Sequence, residues 1–137
     1  MDPSALANEV GRYLLPFLPY LIKAGEKAAE EAGKKFGAAA WEKAQAIWAK
    51  LRANDEVKQA AKDAAAMPGD ADARASLRLQ LKKLLQADEA LRGELAALWQ
   101  ETKQTVGSDI IQMIINVSGH GQVRDIIGKR IGGSEGT

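Results

Sequence analysis

Residues 14–22 read Leu-Leu-Pro-Phe-Leu-Pro-Tyr-Leu-Ile, without a charge and without a polar face. A helix on the surface of a globular protein carries a polar stripe, whereas one that is apolar all round is buried. Pro16 and Pro19 each remove a backbone hydrogen bond and clash with the turn before, so the segment breaks or kinks. The rest of the chain therefore has to wrap around a kinked apolar centre. Leu14, Leu15, Phe17, Leu18, Leu21 and Ile22 admit two roles. One is the core of a helical domain; the other is a segment hidden at rest and released to insert into lipid. The two are compatible, because a membrane-active helix must be hidden while its protein is soluble. Even counted from Tyr13, the run is well short of the roughly 20 residues needed to span a bilayer.

The surrounding residues use a helix-forming vocabulary of Ala, Leu, Glu and Lys up to about residue 106. Asp2 before Pro3 reads as a helix cap with proline at the first helical position, and Leu6, Val10, Tyr13 and Leu14 follow at helical spacing. Gly25, Ala29, Gly33 and Gly37 then stand four apart. Such a stripe lets two helices approach closely, and in membranes it drives their association. Glu30–Lys34 and Glu31–Lys35 have the spacing of helical ion pairs. Trp41, Ala44, Ile47, Trp48 and Leu51 continue the apolar period, with a break expected near Gly33 or Gly37 because each glycine costs a helix roughly 1 kcal/mol. Asn54 caps a third helix over residues 55–66, whose inward face of Val57, Ala60, Ala61 and Ala64 is small. That helix should be the weakest element. Met67-Pro68-Gly69-Asp70 is a loop, with Asp70 or Asp72 capping a helix that turns Leu77, Leu81, Leu84 and Leu85 inward. Asp88 caps the next, with Leu91, Leu95, Leu98 and Trp99 on one face. The expectation is an all-α bundle of about five helices over residues 1–106.

Composition excludes much chemistry. The 137 residues carry a formal charge of +1, too little to steer the chain to nucleic acid or anionic lipid. Cysteine is absent, so disulfides and thiolate metal sites are excluded, and one histidine cannot build a multi-histidine site. That histidine, His120, lies between two glycines and reads as a turn residue. Gly128-Lys129-Arg130-Ile131 resembles the clamping loop of KH domains, but Ile131 stands where the second glycine belongs, and no nucleic-acid role is expected. No phosphate loop, nucleophile elbow or framed carboxylate pair supports an enzyme, and no cofactor is expected. Met1-Asp2-Pro3-Ser4 lacks the basic start of a secretory signal, so the expected resting location is the cytoplasm.

At Gly107 the vocabulary changes. Ile110-Ile111-Gln112-Met113-Ile114-Ile115-Asn116-Val117 is β-prone and uncharged, Ser118-Gly119-His120-Gly121 is a turn, and a second aliphatic run includes Val123, Ile126 and Ile127. Low-charge segments of this kind, free of proline, form stacked cross-β zippers in which Asn and Gln ladder between copies. A lone hairpin is marginally stable, so the tail needs another copy, another chain or the preceding domain. A short helix from Ser108 through Val117 is the other conformation open to the first run. Gly107-Ser108-Asp109 reads as a hinge, and residues 134–137 hold nothing apolar to bury.

The stretch Asn116-Val117-Ser118-Gly119-His120-Gly121-Gln122-Val123-Arg124-Asp125-Ile126-Ile127-Gly128 resembles bacterial amyloid signalling sequences. Through Gly121-Gln122-Val123 it is also similar to the RIP homotypic interaction motif, with Gly121 at an aliphatic position and Arg124 at a glycine position of that motif. The bundle with its apolar N-terminal segment resembles the Bell domains of bacteria, counterparts of fungal HeLo and HeLo-like cell-death domains. This resemblance implies a cell-death effector. An NLR-type receptor carrying a matching motif would template residues 107–137 into an amyloid through Ile114, Ile115, Asn116, Val117, Gly119, Gln122, Val123, Ile126 and Ile127. The chain would assemble as a homo-oligomer through this motif. Its bundle would then reach the cell membrane through Leu14, Leu15, Phe17, Leu18, Leu21 and Ile22 and permeabilise it. A soluble adaptor that uses the motif only for assembly, and a helical protein that docks by strand addition, are the competing expectations.

Overall fold

A computed structural model describes residues 2–23 and 25–119, with side chains as far as Asn116. Every regular element among them is helical: α1 (Pro3–Leu14), a 3-10 turn (Leu15–Phe17), α2 (Leu18–Lys23), α3 (Glu26–Phe36), α4 (Ala38–Leu51), α5 (Asp55–Ala66), α6 (Ala71–Ala87), α7 (Glu89–Val106) and α8 (Ser108–Gly119). The all-α class is as expected from sequence, but seven α-helices stand within residues 1–106, where about five were expected, and an eighth follows.

The extra elements have local causes. Pro16 and Pro19 divide the N-terminal helix, each at the second position of the next helical piece, where a missing N–H leaves nothing unpaired. Between α3 and α4 the break falls at Gly37, whose φ of 97° suits glycine, while Gly33 continues α3. The four predicted caps form. Asp2 accepts from the Ala5 N–H at 3.0 Å, Asn54 from Val57 at 2.9 Å, Asp70 from Asp72 at 3.1 Å and Asp88 from Leu91 at 3.0 Å.

α1 lies at the centre of the bundle and packs on α6 and α8, with further contacts to α4 and α7. α5 closes the opposite side against α6 and α2, and α3 and α7 flank α4. Leu77, Leu81 and Leu85 of α6 are buried, and the inward face of α5 is the small one read from sequence. Two expectations fail here. Nothing comes within 4 Å of a Cβ built on Gly25, Gly33 or Gly37, so the small-residue stripe is not a helix contact. The close approach is instead at Gly11 of α1, where Arg78 and Leu81 of α6 would stand 3.4 Å from a Cβ. The ion pairs expected within α3 are also absent among the described residues. Lys43–Glu101 at 2.9 Å and Lys50–Glu94 at 3.0 Å tie α4 to α7 instead.

Candidate functional site: the apolar N-terminal segment and the helix packed on it

The kinked centre reaches its neighbours through aromatic rings. Tyr13 and Phe17 lie one turn apart with centroids 5.1 Å from each other. Tyr13 meets the edge of Trp99 on α7 at 5.3 Å, and Phe17 meets Phe36 on α3 at 4.5 Å. The Tyr13 hydroxyl donates to the Ala40 carbonyl at 2.7 Å, and burial pushes this phenol well above its ordinary value. The indole N–H of Trp99 donates to Glu9 Oε1 at 2.8 Å, so both buried polar handles are paired. Leu14, Phe17, Leu18 and Leu21 are buried, and Leu15 and Ile22 pack half-buried at the margin of the core. All six residues named for membrane contact thus belong to the core or its edge in this state.

The first half of the β-prone segment is helical. Residues 108–119 form α8, after Gly107 turns the chain at φ 92°. Ile114 is 0% exposed and Ile111 4%, both in the core cluster, while Ile115 is partly buried and Asn116 exposed. Val117 and Gly119 belong to the same helix. Gln122, Val123, Ile126 and Ile127, with His120 of the expected turn, lie outside the described residues. The bundle therefore continues beyond residue 106. α8 rests on α1, the 3-10 turn and α7. Two groups of residues singled out separately, the N-terminal apolar segment and the start of the C-terminal segment, are packed against each other.

Helix wins over strand here for a quantitative reason. β-branched residues lose only a few tenths of a kcal/mol in a helix against better formers, while burying one isoleucine gains about 1.5–3 kcal/mol. Ile111, Ile114 and Ile115 at i, i+3 and i+4 place that gain on one face. Ile111 was read from sequence as part of the β-prone run but not as a motif or core residue, although this spacing was the signal that could have found its buried role. The opposite face remains apolar too, with Ile110 and Met113 exposed.

α8 is nevertheless a lightly held element. Among its described side chains, residues 108–116, α8 buries Ile111 and Ile114, whereas α1 buries six residues over Pro3–Leu14. Fixing each backbone residue costs about 1–2 kcal/mol, so α8 has the smaller surplus. Elements with few buried apolar contacts open first.

No described helix is long and apolar enough to cross a membrane. No protein-family model, curated protein or solved structure matches the chain.

Proposed function

We propose that this protein is a regulated cell-death effector, held at rest by the packing of α8 on α1 and the 3-10 turn. An NLR-type receptor with a matching motif templates the C-terminal segment into a cross-β stack, and the N-terminal segment is freed to act on the membrane. The observation that carries this reading is that contact. Residues 110–117 cannot both stack as strands and keep Ile111 and Ile114 in the core as part of α8, so templating and resting packing exclude each other. The resemblance of residues 116–128 to amyloid signalling sequences supplies the trigger.

Stacking gathers many bundles along one fibril and raises their local concentration at a lipid surface. If residues 3–23 joined into one helix, its 21 residues would extend roughly 31 Å, about the thickness of the hydrocarbon layer. Glu9, Arg12 and the two prolines oppose a single lipid-facing span. Assembly of several copies, with polar faces turned inward, is therefore the form that fits permeabilisation. That no helix among the described residues is long and apolar enough to cross a membrane favours the alternative, an adaptor that assembles through its C-terminal motif without acting on membranes.

The experiment pairs a peptide of residues 107–133 with the chain truncated after residue 106. The peptide should form fibrils that bind thioflavin T, and full-length chain seeded with them should release dye from vesicles. The truncated chain should form no fibrils, and seeding should not change its dye release. Gln122→Asp should abolish seeding, because a charge repeated every 4.7–4.8 Å along a stack repels itself. A peptide that stays monomeric would remove the trigger, and seeded fibrils without leakage would leave the adaptor.

A further inference from the structure

Two recesses adjoin between α2, α4 and α5. One, of about 230 Å³, is lined by Tyr20, Leu21, Trp41 and Trp48 among others. The second, of about 360 Å³, shares Leu21, Trp48, Ala49 and Arg52 with the first and continues to Ile22, Lys58 and Lys62. Shared walls make them one groove, aromatic and aliphatic at one end and cationic at the other. No carboxylate lines either recess. Arg52, Lys58 and Lys62 form no ion pair among the described residues, whereas Lys43 and Lys50 on a neighbouring face of α4 are both paired. Lys58 and Lys62 are one helical turn apart on α5, and Arg52 caps the end of α4 beside them.

We propose that this groove binds a free single-chain lipid anion of the fatty-acid class. Its acyl chain would lie along Trp41, Trp48 and Leu21, with its carboxylate at Arg52, Lys58 and Lys62. Size and charge both select this ligand. An apolar cavity of about 150 Å³ holds one benzene molecule, so recesses of 230 and 360 Å³ suit one acyl chain rather than the two of a phospholipid. Three cations on one rim, without an ion pair among the described residues, discriminate an anionic head from a neutral one. Ligand pockets commonly join such apolar walls to a few convergent polar groups. The proposal is independent of the reading of the C-terminal segment, and its test uses no fibrils.

Dodecanoate, kept below its critical micelle concentration, is titrated into the full chain while tryptophan emission is recorded. Trp41 and Trp48 line the groove and report occupancy. The expected result is a saturable change in emission, with dodecanol at least tenfold weaker. The double variant Arg52→Glu, Lys62→Glu should weaken dodecanoate at least tenfold, and Ala49→Phe, which fills the shared wall, should abolish binding. All three positions are exposed, and circular dichroism checks that helicity is kept. If Ala49→Phe reduces helicity, the charge variant decides alone. Equal affinity for the alcohol and the acid would overturn the proposal, as would indifference of the charge variant. A response seen only with phosphatidylglycerol vesicles would also overturn it, by making a bilayer surface the ligand.

Discussion

Tyr13 joins α1 to three other elements. It hydrogen-bonds α4 through Ala40 and stacks against Trp99 of α7 and Phe17 of the 3-10 turn. Tyr13→Phe keeps the ring and removes the hydroxyl, and a hydrogen bond of this kind is worth about 0.5–1.5 kcal/mol. Chemical denaturation should show a loss of that size at neutral pH. The pH dependence gives a second readout. The folded phenol titrates above its unfolded value near 10. Its contribution is therefore complete below about pH 10 and is lost as pH rises through the folded value, because the unfolded chain then holds fewer protons. The wild type should lose stability above about pH 10 more steeply than Tyr13→Phe, so the gap between them narrows. A constant gap would mean that the hydroxyl is not buried.

Helices carry the next set of consequences. Gly33 lies inside α3 with open space at its Cβ position, so Gly33→Ala should stabilise the chain by roughly 0.5–1 kcal/mol. Gly37 has the same open space but a φ of 97°, so Gly37→Ala should destabilise it. Thermal melts of the two variants should move in opposite directions. For α8, Ile114→Ala should cost about 2–5 kcal/mol if the helix is docked as described, while exposed Met113→Ala should stay within about 0.5 kcal/mol. Equal, small effects would mean that α8 does not rest on α1. These elements also show what sequence could reveal. Caps at Asp2, Asn54, Asp70 and Asp88 were legible because a short polar side chain before an apolar period has one local use. The inward faces of α5, α6 and α7 were legible from period alone. The α3 ion pairs failed because exposed pairs gain little over solvation. The Gly25–Gly37 spacing misled because Gly25 and Gly37 serve breaks between helices, not a contact. Residues 110–117 stayed ambiguous because Ile111, Ile114 and Ile115 satisfy a helical period while the β-branched residues that dominate the run argue strand. Tertiary burial against α1 decides between them, and no local pattern contains it.

At the scale of the whole molecule, the account rests on one arrangement. The most apolar segment of the chain is at the centre, its outer side is covered in part by a lightly held C-terminal helix, and that helix begins a segment with cross-β character. A bundle built this way can keep its interior hidden for as long as α8 stays helical. The groove between α2, α4 and α5 lies at the other end of the same segment, with Leu21 and Ile22 in its wall. The two faces thus bracket the residues proposed to meet lipid. The central claim, that conversion of α8 releases the N-terminal segment, is tested most directly by hydrogen–deuterium exchange on the full chain. Protection is measured before and after seeding with fibrils of residues 107–133. The account predicts that residues 108–119 become protected as strands while residues 3–23 lose protection in the same step, with α5 and α6 changing less. Fibrils that form while residues 3–23 keep their resting protection would contradict it, and would leave a protein that assembles through its C-terminus with its core closed.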